Sequence, residues 1–466
     1  MKDIDEMDEF DAWLKAGCPD DPKDVDLTED GVARYFTSVF KGKLRFDHDA
    51  GRWYEWTGDR WKSDSTHLAY SHCRKFARDV SAKLQPKDKA TMRKASFAAG
   101  VERMARSDRE HAVTQEAWDS DPMLLGCPGG VVDLRDGKVR KADPVDGITK
   151  HAAVAPEKKS CPLWMRFLDE ATNGDQEMIE FLRRWCGYCL TGDTREHALI
   201  FLYGPGGNGK SVFLNTVSRI MGDYATTAAM DTFTSSRGDK HPTELALLKG
   251  ARMVSASETE EGRAWAESRI KQMTGGDPIT ARFMRQDFFT YQPQFKLTIV
   301  GNHAPALVNV DDAARRRFNI VPFTIKPENP DRELESKLEA EWPAILQWMI
   351  EGCVAWRIGG MSRPESVKAA TAEYFGQQDL TAQWLEECTR LDPTNNYLFE
   401  SSADLFRSWS DFAKANGEDA GSAKSMAARL RRHGLRQASR KIQGKTYRGW
   451  EGAQLHSKIN GGTHDD

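Results

Sequence analysis

The stretch best equipped for chemistry is Gly204-Pro205-Gly206-Gly207-Asn208-Gly209-Lys210-Ser211. A glycine, four residues, then Gly-Lys-Ser is the spacing of a phosphate-binding P-loop. Its glycines let successive backbone N–H groups converge on phosphate oxygens. Lys210 would reach the β- and γ-phosphates of a nucleoside triphosphate, and the Ser211 hydroxyl would bind Mg²⁺. The flanks suit this. Residues 198–203 are apolar and predict a buried strand, and 212–217 predict a helix whose N-terminal dipole favours anions. The predicted phosphate cradle is therefore Gly204, Pro205, Gly206, Gly207, Asn208, Gly209, Lys210, Ser211 and Val212.

Hydrolysis needs more than a cradle: a carboxylate for metal and water, a polar group sensing the γ-phosphate, and a transition-state arginine. Residues 251–257 predict a strand running into Glu258-Thr259-Glu260-Glu261. A carboxylate at the end of a core strand beside the P-loop strand suits the metal and water; Glu258 is the first choice and Glu260 the second. Residues 295–301 predict another buried strand, ending at Asn302, whose amide could touch the γ-phosphate or the attacking water. Arg315-Arg316-Arg317 stand before an apolar strand at 320–323. In a ring ATPase such arginines reach a neighbour's site; Arg316 is the first choice, then Arg317. Between the acid and the asparagine, 271–291 predict a helix end and a hairpin. Lys271, Arg282 and Arg285 alternate there with Phe283, Phe288 and Phe289, giving cations for phosphates and rings for bases of a single strand.

Taken in order, GPGGNGKS (204–211), SETEEG (257–262), MTGGDPITARFMRQDFF (273–289), GNHAPAL (301–307) and DDAARRRFNIVPF (311–323) resemble the superfamily 3 helicases. The resemblance is to their phage and plasmid primase-associated branch, with the poxvirus-type primase-helicase C-terminal region. Residues 124–150 also look like the domain that precedes the helicase in that family. The resemblance implies an AAA+-type core in a hexameric ring, with ATP and Mg²⁺ at subunit interfaces. It also implies translocation on DNA, usually 3′ to 5′, by hairpins lining a central channel. Members are often fused to a primase-polymerase module; no acidic triad or zinc pattern for one is apparent before residue 120.

These motifs need elements to hold them. With 466 residues, 39% hydrophobic and 29% charged, the chain has the composition of a globular protein of several domains. No apolar run is long enough to span a bilayer, and the N-terminus lacks a basic-then-apolar signal, so a cytoplasmic location is expected. Eight scattered cysteines fit a reducing compartment. Cys186 and Cys189 form a CxxC inside a predicted helix, with no second pair to complete a zinc site, and are expected in the core.

The expected class is α/β. An acidic, flexible tail (1–30) precedes a mixed α/β domain (31–158), with a hairpin and third strand at 46–61, helices at 68–84 and 87–106, and short strands over 124–139. A helical collar (159–195), the ATPase core (196–330) and a helical lid or linker (331–379) follow. Last come a winged-helix-like domain (380–453) and a frayed end (454–466). The acidic head and N-terminal domain suggest docking for a primase or polymerase. In the basic C-terminal domain, a second helix with Lys424, Arg429, Arg431 and Arg432 would enter a major groove, and a wing with Lys445 would touch the backbone of duplex DNA. Two functions compete: an ATP-driven replicative helicase, and an ATP-switched initiator or loader that unwinds nothing. The complete set of Glu258, Asn302 and Arg316 favours the first.

Overall fold

In the computed structural model the residues described are 26–456, except 83, 236–241, 259–263, 286, 304, 308–311 and 417–418. The acidic head at 1–25 thus lies outside them. Helix α1 (Glu29–Phe40) starts where the Thr28 hydroxyl accepts the Gly31 N–H at 3.1 Å. Strands β1 (Leu44–Asp47), β2 (Arg52–Trp56) and β3 (Trp61–Ser63) follow, then helices α2 (Leu68–Val80), α3 (Pro86–Met92) and α4 (Ala95–Arg106), and β4 (Ala112–Val113). The sheet runs β3-β2-β1-β4. Val32, Phe36, Trp53, Phe76 and Val101 are buried beneath the helices. The single helix expected over 87–106 is broken, because Lys94 adopts extended backbone (ψ 146°) and restarts the chain as α4.

Strands β5 (Leu124–Cys127), β6 (Gly130–Asp133) and β7 (Lys138–Arg140) form a meander. Leu125, Cys127, Val132 and Leu134 share a core with Trp164, Phe181 and Trp185 of helices α5 (Pro162–Thr172) and α6 (Gln176–Cys189). Packing therefore divides the stretch expected as one domain over 31–158. Its second part joins the collar and the centre of the molecule.

The central unit comprises β8 (Leu199–Tyr203), α7 (Lys210–Met221), β9 (Ala225–Thr227), α8 (Pro242–Ala246), β10 (Met253–Glu258) and α9 (Glu267–Gly275). It continues through β11 (Ile279–Ala281), β12 (Phe289–Tyr291), β13 (Lys296–Gly301), α10 (Asp312–Arg317) and β14 (Phe318–Pro322). Five strands make a parallel sheet in the order β14-β8-β13-β10-β9. Parallel strands covered on both faces are apolar throughout, and β8 shows why. Ile200 and Leu202 enter the core shared with α5–α7, while Leu199 and Phe201 enter a second core with Trp265 and Phe318.

Two buried cations tie the layers together. Arg252 donates to the carbonyls of Leu190 (2.6 Å) and Leu124 (2.8 Å) and lies 4.4 Å over the Tyr224 ring. Lys296 donates to the carbonyls of Thr191, Asp193 and Gln294, and burial pushes its ammonium down to about 7. Cys186 and Cys189 are fully buried beside them, as expected, and burial pushes the Cys189 thiol up to about 12. Among the described residues no cluster of metal-ligating side chains occurs.

Helices α11 (Leu334–Leu338), α12 (Trp342–Gly359) and α13 (Glu365–Gln378) follow. Helix α12 belongs to the core rather than to a lid. It crosses α6 so closely that a Cβ on Gly187 would sit 2.0 Å from the Cys353 nitrogen, and one on Gly352 would sit 2.1 Å from the Arg183 oxygen.

The C-terminal unit runs α14 (Leu380–Cys388), β15 (Thr389–Leu391), β16 (Phe399–Ser401), α15 (Ser402–Ala415), α16 (Ala423–Arg432), β17 (Arg436–Ile442), β18 (Lys445–Glu451) and β19 (Ala453–Leu455). Trp384, Leu405, Trp409, Leu430 and Trp450 form its core, beneath a sheet ordered β16-β18-β17. The β17–β18 turn uses Gln443 (φ 48°) and Gly444 (φ 82°), the two left-handed residues that a tight hairpin of this kind needs. Residues 453–455 are not frayed: β19 pairs with β15. Among the described residues no helix is long and apolar enough to cross a membrane.

Candidate nucleotide site and nucleic-acid surfaces

The loop expected to be a P-loop joins β8 to α7 and leans on its neighbours. A Cβ on Gly204 would lie 1.9 Å from the Phe323 carbonyl oxygen, so only glycine lets the loop leave the sheet there. The Asn208 amide donates to that same carbonyl. Its oxygen accepts from Lys210 Nζ at 2.8 Å, and Nζ also donates to the carbonyls of Gly204 (2.6 Å) and Pro205 (3.1 Å). The ammonium is thus held beneath the loop, and burial lowers its pKa from the ordinary lysine value. Helix α7 starts at Gly209 (φ +85°), which offers no side-chain cap. The first-turn N–H groups of α7 thus have no capping side chain, which fits a bound anion.

The loop forms the floor of a cavity of about 590 Å³, within the range of small-molecule sites. Residues 206–212 and Asn302 line one side; Ile325, Pro327, Asp331 and Leu334 line another. The remaining wall is α5, through Arg166, Phe167 and Ala171. Sequence reasoning missed this wall, because the spacing of Trp164, Phe167 and Leu168 marks only a packed helix face. Phe167 is indeed buried, yet its ring is what a Cβ on Gly209 would strike, at 2.7 Å.

Glu258 is the last residue of β10, and Glu260 lies outside the described residues. The acid's strand is not beside the P-loop strand as expected, because β13 lies between them. Glu258 pairs in register with Gly301, and Gly301 with Tyr203, so the strand ends align in one row. At strand spacing, the backbone of the acid is about 10 Å from that of Tyr203. Asn302 follows Gly301, on the nearer strand, and lines the cavity.

The arginines lie elsewhere. Arg315, Arg316 and Arg317 close α10, and Phe318 pairs with Leu199 at the far end of the sheet from the P-loop. Neither Arg316 nor Arg317 lines the cavity of its own chain. Arg316 is exposed, whereas Arg317 turns back to the Ala313 carbonyl at 2.9 Å. Arg363, which the sequence did not single out, donates to the Arg316 carbonyl at 2.6 Å and so holds the end of α10.

The hairpin β11–β12 forms as expected, with Arg282 4.7 Å over Phe288. Met284 and Phe288 are exposed near its tip, and Arg285 adopts a left-handed backbone there. Lys271 lies on α9 instead, half-buried. In the C-terminal unit Lys424, Arg431 and Arg432 are exposed on α16, and Arg429 is half-buried. Arg429 and Arg431 are drawn back onto Trp409 (5.2 Å) and Trp450 (5.7 Å). Lys445 opens β18 beside the turn.

Two domain families match the chain: D5 N terminal like over 33–173, and a family of unknown function, DUF5906, over 202–317. A "Putative helicase" of Acanthamoeba polyphaga mimivirus is 26% identical over 64% of this chain and 34% of its own length. A "Putative helicase" of Frog virus 3 (isolate Goorha) is 26% identical over 52% of this chain and 27% of its own. A "Putative primase" of African swine fever virus (strain Badajoz 1971 Vero-adapted) is 26% identical over 51% and 26%. The chain thus spans about a third or less of these relatives. Two apo structures of the NrS-1 C-terminal region share its fold. They have TM-scores of 0.50 and 0.52 at 12% and 11% identity, covering 87% and 88% of this chain and 95% and 96% of theirs. The N-terminal domain match and the viral relatives make this chain similar to D5-type primase-helicases over those stretches.

Proposed function

We propose that this chain is the ATP-hydrolysing motor of a DNA replication helicase. The observation that carries the reading is a convergence. Lys210, the uncapped start of α7 and Asn302 meet in one cavity of about 590 Å³, although Asn302 is far from the loop in sequence. In this reading the central unit is an AAA+-type core. Residues 204–212 would hold the phosphates, and Ser211 and Glu258 would hold Mg²⁺, which would supply charge neutralisation to the triphosphate. Lys210 exchanges loop carbonyls for phosphate oxygens. Glu258 orients the attacking water, with Glu260 as the other choice, and Asn302 reports on the γ-phosphate. Arg316, or Arg317 behind it, serves the site of the next subunit in a hexameric ring.

DNA contact follows from the exposed chemistry. The β11–β12 hairpin, with Arg282, Arg285 and Phe288, handles a single strand in the channel, with Lys271 behind it. The C-terminal unit, with helices α14, α15 and α16 around a three-stranded sheet, acts as a winged helix on duplex DNA. A primase or polymerase partner docks on the N-terminal region, and the work takes place in the cytoplasm. The test is strand separation on forked duplexes carrying a 3′ or a 5′ tail. ATP should release the strand and a non-hydrolysable analogue should not. ATP-dependent binding without release from either fork would replace the motor by an initiator or loader.

A further inference from the structure

The β17–β18 hairpin has two faces, and α16 occupies only one. Gln437 and Trp450 pair across the strands, and Trp450 is buried against Leu430 and Arg431 of α16. Alternation then puts Arg436, Arg440 and Ile442, with Lys445 and Tyr447, on the outer face. Next to them Phe399 of β16 pairs with Glu451, and its ring lies over Gly449, where a Cβ would come within 2.4 Å. Arg440 stacks 5.1 Å over that ring. From there its guanidinium reaches the carbonyls of Asn396 and Tyr397 and the Glu451 carboxylate (3.1 Å).

These bonds fix the loop before β16. Asp392 caps it through the Thr394 N–H (3.1 Å) and hydroxyl (2.6 Å), and the Asn395 side chain accepts the Tyr397 N–H at 2.9 Å. Yet the Tyr397 side chain at the end of this tied loop is 92% exposed. Tyr447 is 41% exposed on the same outer face. An aromatic ring held outward by a fixed loop keeps most of its apolar surface in water, and among the described residues nothing covers it. On this face Arg436, Arg440 and Lys445 outnumber one acid, Glu451, which Arg440 bridges. Such surroundings favour a polyanion, and exposed planar rings favour bases over a duplex backbone.

We propose that this outer face is a stacking site for unpaired nucleobases of single-stranded nucleic acid, with Tyr397 as its principal ring, Arg440 as the residue that positions it, and Lys445 and Arg436 as phosphate contacts. It extends the reading of the C-terminal unit as DNA-facing. It assigns unpaired strand to the face opposite α16, which that reading gives to duplex.

The test uses the full chain and an oligo-dT carrying 2-aminopurine, in wild type and in a Phe288→Ala background that removes the exposed hairpin ring. Tyr397→Ala should weaken single-strand binding about 5- to 150-fold and remove the quenching of 2-aminopurine, as loss of one stacked base does. Tyr397→Phe should bind like wild type, because stacking needs the ring and not the hydroxyl. The salt slope should stay unchanged, since no cation is removed. Affinity for blunt duplex and ATP hydrolysis without DNA should also hold, which separates this site from the motor and from α16. Unchanged oligo-dT affinity and quenching in Tyr397→Ala, or a Tyr397→Phe variant as weak as the alanine, would overturn the proposal.

Discussion

Lys210 and Arg316 stand at opposite ends of two neighbouring parallel strands. Lys210 follows Tyr203 past the P-loop; Arg316 precedes Phe318, which pairs with Leu199. The register from Leu199 to Tyr203 alone separates them by about 13 Å along the sheet. No movement of one side chain brings this arginine to its own lysine. If both serve one reaction, they come from different subunits. Lys210→Ala and Arg316→Ala proteins should each hydrolyse ATP on the order of 10³-fold more slowly than wild type. Mixed, they should regain measurable activity, because some interfaces pair an intact lysine with an intact arginine. No recovery across mixing ratios, with subunit exchange shown by labelled proteins, would refute the shared site.

Glu258 closes β10 in the row formed by Gly301 and Tyr203. Glu258→Gln should retain nucleotide affinity and lose hydrolysis by about 10²-fold or more, since general-base and water-orienting groups contribute on that scale. An ATP-bound complex should then persist on DNA. Should Glu260→Gln behave this way and Glu258→Gln stay active, the acid is the later one.

Gly209 has φ +85° and faces the Phe167 ring. Gly209→Ala meets both backbone strain of about 1 kcal/mol and the side chain of α5. Nucleotide affinity, followed by titration with a fluorescent analogue, should fall about tenfold or more. Phe167→Ala in the same chain should recover part of it by opening space. A double variant no better than Gly209→Ala would remove α5 from the account of the cavity.

Buried Lys296 makes a pH prediction. Its folded ammonium titrates at about 7 against an ordinary 10.5, because burial disfavours the charge; Arg252 opposes it as well, while Asp193 and the Cys189 and Cys353 thiols favour it. Between those values the unfolded chain binds more protons than the folded one, so this residue makes stability rise with pH. The slope approaches about 1.4 kcal/mol per pH unit at most. Below pH about 7 both states are protonated and the slope vanishes. Lys296→Met should lack the rise, so the stability of wild type relative to the variant, from urea unfolding at pH 6 to 9.5, should grow as pH increases. A constant difference would mean that the amine is charged throughout.

On α16 the pair Lys424 and Arg432 and the ring-stacked pair Arg429 and Arg431 should separate. Lys424→Ala with Arg432→Ala should weaken duplex binding and flatten its logarithmic salt dependence by about 0.9 for each phosphate no longer neutralised. Arg429→Ala with Arg431→Ala should mainly lower the melting temperature, because these guanidinium groups cover Trp409 and Trp450. The reverse pattern would put Arg429 and Arg431 in the groove.

Much of the candidate nucleotide site was legible in the sequence because its parts are local. The P-loop pattern needs glycines, a lysine and a serine within eight residues, and the strands before Glu258 and Asn302 show as charge-free runs at 253–257 and 297–301. The β11–β12 and β17–β18 hairpins were legible too, since alternation and turn residues act over a few positions. What the sequence could not contain was the order of strands in a parallel sheet. Nothing in 253–258 or 296–301 says which strand adjoins β8, because 253–256 and 296–301 are both continuously buried and either could pack there. Only the packing of crossovers put β13 between them. Facing was equally hidden: Arg429 and Arg431 read as free charge until Trp409 and Trp450 came beneath them, and Phe167 read as core until Gly209 came against it. Local backbone and side-chain chemistry is written residue by residue. Which surfaces meet depends on residues far apart in the chain, and they come together only once it has folded.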